Sequence, residues 1–192
     1  MAGISCPPGL MILHRRIFVL VLPLLACLLA LVSLPATAQP EEADKLKAVF
    51  VYNFAQYVKW PESMPDTPEF QLCLTGTSRV IEALQRLQGE TLNQRQIRVR
   101  SLHLGDDPSG CRLLFIGESE LPRLEFLLET IDALPVLTVS DLPGFAASGG
   151  MIGFFWEGSK IRFEINHQAA NAAGLALSSR LLKLARLVGE QP

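Results

Sequence analysis

Charge is scarce in this chain, and basic residues are not in excess. Asp, Glu, Lys and Arg make up 19% of its 192 residues, and the formal net charge is −2. Disordered segments and coiled coils carry more charge and less apolar content, and nucleic-acid-binding domains need a basic surface. The composition therefore argues against these three classes, and we expect no nucleic-acid partner.

The short motifs of common enzyme and metal sites are missing as well. The chain has no His-Glu-x-x-His, Gly-x-Ser-x-Gly, Gly-x-Gly-x-x-Gly or Cys-x-x-Cys pattern and no Walker loop. Its histidines, His14, His103 and His167, lie far apart in sequence. We predict a protein that is not an enzyme, with no catalytic residue, metal ligand or cofactor, although distant residues can still form a site in the folded chain.

Apolar residues are concentrated at the amino terminus. Residues 1–38 contain no acid and combine a basic patch at 14–16, an apolar stretch at 17–34 and the small-residue ending Ala36-Thr37-Ala38. This layout is typical of a signal peptide. We predict export and cleavage after Ala38, which leaves residues 39–192 as one mildly acidic domain that does not insert into the membrane.

Two other fates of this leader fit the same residues. The apolar stretch is long enough to stay as an anchor, since about 18 apolar residues can cross a bilayer. Residues 24–27, Leu-Leu-Ala-Cys, resemble a bacterial lipobox, which would place a lipid on Cys27. In all three cases the folded part lies outside the cytoplasm.

Removal of the leader leaves two cysteines, Cys73 and Cys111. In an oxidising compartment, two cysteines can form a single disulfide. Two separate buried thiols are the alternative, and the residues by themselves leave both open.

Apolar spacing predicts alternating helices and strands. The predicted helices cover 42–60, ended by Pro61, and 78–88, 121–133 and 167–188; the predicted strands cover 70–75, 95–102, 111–116, 136–140, 151–156 and 160–165. The last two strands are separated by only three residues and should form an antiparallel hairpin. The predicted fold is α/β: a mainly parallel sheet with helices on its faces and a C-terminal antiparallel hairpin followed by a long helix.

Polar residues interrupt two of these elements. In the first helix, Tyr52 and Asn53 break the apolar stripe shortly before Lys59 and Trp60. In the second hairpin strand, a polar set occupies one side; its members are Lys160, Arg162, Glu164 and Asn166. Both features fit a binding surface, and both also fit polar faces that merely find solvent or backbone partners.

Six segments together resemble the YfiR family of bacterial periplasmic regulators. They are KAVFVYNFAQYVKWP (47–61), FQLCLTG (70–76), CRLLFIG (111–117), VLTVSD (136–141), GGMIGFFWEGSKIRFEIN (149–166) and AANAAGLALSSRLLKLAR (169–186). Their order and spacing extend the resemblance over nearly all of the exported chain, which is thereby identified as a single YfiR-like domain.

The resemblance implies a periplasmic repressor, usually a homodimer. Such proteins bind the sensory domain of an inner-membrane diguanylate cyclase of the YfiN type and hold it inactive, so that cyclic di-GMP and biofilm formation stay low. Redox or envelope stress relieves the inhibition. The family's strand motifs imply a Cys73–Cys111 disulfide, whereas Phe145 and Ile152 occupy the neighbourhood of a second cysteine pair found in some relatives.

The family motifs also contain the polar residues noted above. The candidate partner- or ligand-binding residues are Tyr52, Asn53, Lys59, Trp60, Arg162, Glu164 and Asn166. An alternative function is a periplasmic small-molecule-binding module that serves a membrane sensor such as a histidine kinase. In that case Trp60, Trp156, Arg162 and Glu164 would line the pocket at the end of the sheet.

Overall fold

A computed structural model describes residues 39–132 and 134–189. The predictions about the leader, namely cleavage after Ala38, an anchor or a lipid on Cys27, lie outside these residues. Within the described part, none of the helices has the length and apolar character needed to cross a bilayer.

The elements follow one another with short connections. The α-helices are α1 (Gln39–Gln56), α2 (Arg79–Gln85), α3 (Leu124–Ile131), α4 (His167–Ala172) and α5 (Ser179–Leu182), and a 3-10 helix (Glu118–Arg123) precedes α3. The strands are β1 (Val58–Lys59), β2 (Glu69–Thr75), β3 (Thr91–Leu92), β4 (Arg95–Leu102), β5 (Leu113–Ile116), β6 (Leu137–Ser140), β7 (Ile152–Glu157), β8 (Lys160–Asn166), β9 (Ala176–Leu177) and β10 (Arg186–Val188).

Eight strands form one mixed sheet in the order β10-β8-β7-β6-β5-β2-β4-β3. The pairs β10–β8, β2–β4, β2–β5, β5–β6 and β6–β7 are parallel, whereas β7–β8 and β3–β4 are antiparallel. Strands β1 and β9 pair separately. The predicted α/β class and the β7–β8 hairpin are confirmed.

The sheet buries apolar side chains on both faces. In β5, Leu113 and Phe115 belong to one core cluster, whereas Leu114 and Ile116 belong to the other, as the alternation of side chains along a strand requires. Helices α1, α2 and α4 cover the first face, and α3 covers the second. The central strands are therefore continuous apolar runs, as expected for strands covered on both sides.

Aromatic rings hold α1 on the hairpin. The ring of Phe54 lies 4.8 Å from that of Phe163 and 5.7 Å from that of Phe154, measured between centroids. This packing fixes the position of α1, which is followed by the short strand β1 and then by Trp60.

The prediction of one long helix over 167–188 is wrong. Helix α4 ends at Ala172, Gly174 has a φ of +73°, and the chain then forms β9, α5 and β10. A left-handed glycine typically terminates a helix. The buried residues Ala173, Leu175 and Leu177 alternate with exposed neighbours, which is the period of a strand. Similarly, α1 ends at Gln56 instead of Trp60, because Val58 and Lys59 pair with β9.

Replacing the serine that starts α5 tests this break. The Ser178 hydroxyl accepts a hydrogen bond from the backbone N–H of Leu181 at 3.4 Å. We expect Ser178→Ala to lower the free energy of unfolding by about 1 kcal/mol, because the helix loses its cap. Urea unfolding followed by circular dichroism measures the change.

Ser179→Ala is the matched control, since Ser179 is exposed and lies inside α5. Its free energy of unfolding should stay the same or rise slightly, as alanine favours helix interiors. If both alanine variants were stabilised equally, residues 178 and 179 would lie within a continuous helix and the break would be refuted.

Candidate functional site

A cleft of about 580 Å³ opens beside Trp60. We refer to it as the Trp60 cleft. Its walls come from the segment around β1, the β3–β4 turn and the residue preceding β5. The lining residues are Val58, Lys59, Trp60, Pro61, Glu62, Met64, Asp66, Phe70, Leu92, Asn93, Arg95 and Arg112.

The indole of Trp60 is held in one orientation. Its Nε1 donates a hydrogen bond to the carbonyl oxygen of Arg112 at 3.1 Å. The ring meets Phe70 edge to face, with centroids 5.5 Å apart. Because the polar tip is satisfied and the ring is packed, Trp60 offers a rigid aromatic wall to the cleft.

Arg112 is the most unusual residue of the cleft, because its charge is buried. Only 8% of the residue is exposed. Its guanidinium donates to the carbonyl oxygen of Pro65 at 2.8 Å and lies 5.8 Å from the centre of the Trp60 ring. Among residues 39–132 and 134–189, no carboxylate forms an ion pair with it.

The surroundings of Arg112 disfavour its charge. Burial, followed by repulsion from Arg95, lowers the pKa of Arg112, while Asp66 acts in the opposite direction. Asp66 is itself paired with Arg95, with Nη2 and Oδ1 2.5 Å apart. A buried cation of this kind is costly unless an anion compensates it, so an anionic group placed next to Arg112 would be favourable.

Two of the candidate residues from sequence line this cleft. They are Lys59, which is exposed, and Trp60. Tyr52 lies next to it: its hydroxyl donates to the carbonyl oxygen of Thr91 at 2.8 Å and so ties α1 to β3. Asn53 is not a lining residue, and its Oδ1 accepts a bond of 3.4 Å from Gln56 on the same helix.

The remaining candidates lie in the hairpin and do not line the Trp60 cleft. Arg162 is exposed and pairs with Glu157 at 3.1 Å. Glu164 is buried and accepts a bond of 2.5 Å from Arg186. Asn166 caps α4 by accepting from the N–H of Ala169 at 2.9 Å.

The cleft beside Trp60 therefore differs from the pocket expected from sequence, which would have combined Trp60 with Trp156. Trp156, Arg162 and Glu164 are absent from the lining of the cleft. The guanidinium of Arg186, which pairs with Glu164, lies 3.8 Å above the ring of Phe155. The buried charge of Glu164 is thus compensated within the fold, unlike that of Arg112.

A disulfide joins Cys73 in β2 to Cys111, with the Cα atoms 5.8 Å apart. Both residues are fully buried. Arg112 follows Cys111 directly, and its backbone N–H donates to the carbonyl oxygen of Gln71 at 2.9 Å. The cross-link therefore tethers the backbone that carries the buried cation.

Sequence reasoning missed Arg112, although a signal was present. An arginine inside the apolar run CRLLFIG is unusual, since arginine is rarely buried without a partner. It also missed Lys47, a buried residue whose Nζ lies 2.9 Å from Asp141 Oδ2. There the signal was a lysine within the first helix and an acid at the end of VLTVSD.

The cleft is suited to binding. Within the described ranges, no three His, Cys, Asp or Glu residues are grouped as a metal site would require. The guanidinium of Arg112 and the ammonium of Lys59 can accept a carboxylate or phosphate, and the indole of Trp60 can pack against an apolar surface. Fold and cleft together define an α/β domain with a cleft lined by an indole, three basic side chains and the carboxylates of Glu62 and Asp66.

A family model described as YfiR/HmsC-like matches residues 44–186. The chain therefore belongs to the YfiR/HmsC-like family, which confirms the resemblance seen in its sequence. The family is regulatory rather than catalytic, and membership implies a periplasmic regulator of cyclic di-GMP signalling. The matched residues include Trp60, Arg112 and both cysteines of the disulfide.

Proposed function

We propose that this protein is a periplasmic repressor that binds the sensory domain of an inner-membrane diguanylate cyclase through the Trp60 cleft. The observation that carries the proposal is the buried Arg112, which lines the cleft and forms no ion pair with a carboxylate of the described residues. An acidic side chain of the cyclase domain would supply that partner.

Three residues of the cleft would contribute to binding in different ways. Lys59 is exposed at the cleft and attracts an acidic surface during approach. Arg112 receives the carboxylate, and the indole of Trp60 packs against the apolar part of the same segment. Aromatic and arginine side chains of this kind dominate the energetics of many interfaces.

Repression requires more than tight binding. The protein shifts the cyclase toward its inactive conformation only if it binds that conformation more tightly than the active one. The free energy available for repression equals this difference in affinity. A cleft that receives one carboxylate in a fixed position suits such discrimination, since a displaced carboxylate loses the pairing.

We also propose that the protein is exported through residues 1–38 and assembles as a homodimer. On α1, Leu46 and Val49 are exposed apolar neighbours three residues apart, as a helical interface would require. Redox tuning belongs to the same proposal, because loss of the Cys73–Cys111 bond releases the segment that positions Arg112.

A pull-down with the cyclase's periplasmic domain tests this function. We expect capture of the domain by the oxidised protein and much weaker capture after reduction with tris(2-carboxyethyl)phosphine, because the cleft loses its tether. The Cys73→Ser/Cys111→Ser double variant is the control, and its capture should not respond to the reductant. Failure of the oxidised protein to capture the domain would refute repression by direct binding.

A small anionic aromatic molecule is the second candidate ligand of this cleft. The volume of about 580 Å³ and the adjacent indole and guanidinium favour it. A rise in unfolding temperature caused by such a compound alone, lost in Arg112→Met, would support a small-molecule module that serves a membrane sensor.

A further inference from the structure

A second cavity, of about 750 Å³, lies on the α3 side of the sheet. The loop between β4 and β5 forms one wall, and the 3-10 helix with α3 forms the other. The cavity shares no residue with the Trp60 cleft.

This cavity lies where open α/β sheets commonly bind ligands. Its floor includes Thr75 and Leu102, the last residues of the parallel strands β2 and β4. Strand β2 has β4 on one side and β5 on the other, and the helices that follow β2 and β5 cover opposite faces of the sheet. The crevice at the carboxyl ends of such strands is the usual ligand site of this architecture.

The cavity is mostly apolar inside, and two large apolar side chains stay exposed beside it. Leu104 is 70% exposed and Phe126 is 59% exposed, and the two come from opposite walls. Its volume falls in the range of about 300–1,000 Å³ typical of small-molecule sites. A ligand with an apolar body would cover both side chains and remove apolar surface from water.

The charges around the cavity favour a cationic head group. The lining contains three carboxylates, those of Asp106, Asp107 and Glu120, and two basic side chains, those of Arg123 and His103. The Nδ1 of His103 lies 3.6 Å from Asp106 Oδ2. Glu120 and Arg123 neutralise each other through bonds of 2.5 and 2.9 Å. His103 and, from outside the lining, Arg100 offset part of the charge of the two aspartates in the β4–β5 loop. The carboxylates of the lining still outnumber its basic side chains, so the potential in the cavity is negative.

Asp107 stays ionised and fixed in place. The backbone N–H and the hydroxyl of Ser109 donate to its carboxylate at 2.8 and 2.7 Å and lower the pKa of Asp107. The ring of Phe126 across the cavity adds a second attraction for a cation, because aromatic faces carry negative charge density.

We propose that this cavity binds a small cationic amphiphile, an organic molecule with an alkyl or aromatic body and an ammonium head. The body packs against Leu102, Leu114 and Leu127, and the head lies between the Asp106–Asp107 loop and the ring of Phe126. This site goes beyond the proposed repression and does not depend on it, because it uses a different cavity and a ligand of the opposite charge.

Titration calorimetry with two matched probes tests the site. Decyltrimethylammonium chloride and sodium decyl sulfate have the same alkyl chain and opposite charge, and both are used below their micelle concentrations. We expect the purified protein to bind the ammonium probe at least tenfold more tightly. Equal affinity, or tighter binding of the sulfate, would overturn the proposal.

Variants locate the binding within the cavity. Phe126→Ser should weaken binding of the ammonium probe at least tenfold. Leu121→Ser should leave the affinity unchanged, because Leu121 is an exposed residue of the 3-10 helix that is not itself among the lining residues. Asp106→Asn should weaken binding of the ammonium probe, whereas Glu125→Gln on the exposed surface of α3 should not. Binding that is insensitive to Phe126→Ser, or equally sensitive to Leu121→Ser, would place the probe elsewhere and refute the site.

Discussion

Reduction of the Cys73–Cys111 disulfide should lower the free energy of unfolding by about 4 kcal/mol, since the chain-entropy model assigns this value to a loop of such length. The two cysteines are 38 residues apart in sequence, so the bond removes many conformations from the unfolded chain. Both side chains are fully buried in the α3-side core, so the reduced thiols keep their apolar contacts. The loss of stability is therefore expected mainly from the greater freedom of the unfolded chain. In the folded protein, reduction leaves the core contacts in place but holds the backbone at Arg112 less tightly.

Urea unfolding with and without tris(2-carboxyethyl)phosphine measures this effect. For a domain of this size, the unfolding temperature should also fall by about 8–16 °C. The Cys73→Ser/Cys111→Ser variant should show no response to the reductant, and it should be at least as unstable as the reduced protein because it buries two hydroxyls. Identical urea midpoints for the oxidised and reduced protein would contradict the expectation.

Arg112→Met should abolish most of the affinity for the cyclase domain while preserving the fold. Methionine fills a similar volume and removes a buried charge that has no carboxylate partner in the described residues, so the free energy of unfolding should stay equal or rise. In the complex, however, the partner's carboxylate loses its guanidinium. Breaking such a pair costs about 2 kcal/mol or more, which corresponds to a roughly 30-fold weaker affinity.

Arg98→Met is the matched control. Arg98 is exposed on β4, pairs with Glu69 at 2.8 Å and does not line the cleft. It should bind the cyclase domain with the affinity of the unaltered protein in surface plasmon resonance. If Arg112→Met bound equally well, the cleft would not be the docking site; if Arg98→Met lost as much affinity, the effect would reflect overall charge.

Local patterns predicted those features that depend on neighbouring residues. The apolar runs of β5 and β6 and the short connection of the β7–β8 hairpin match the structure. The prediction for residues 167–188 was wrong because the same leucine spacing fits one long helix and also fits two short helices alternating with two short strands. Gly174 was the local signal for the break, and the alternating burial that follows it depends on pairing with β1.

The candidate residues illustrate the same limit. Glu164 and Arg162 share one side of β8, as the sequence predicts, yet Glu164 is buried and paired with Arg186 while Arg162 is exposed. Periodicity gives the side of a strand on which a residue lies. It does not show what covers that side, because the covering residues are distant in sequence.

The sequence by itself determined the family, the α/β class and the candidate cysteine pair. Motif order and the spacing of apolar residues depend only on the order of residues along the chain. Only the tertiary structure decided that Trp60 and Arg112, 52 residues apart, share one cleft and that the charge of Arg112 is buried there. The burial of a side chain and the compensation of its charge depend on all residues that surround it in space. These neighbours are distant in sequence and come together only when the chain folds.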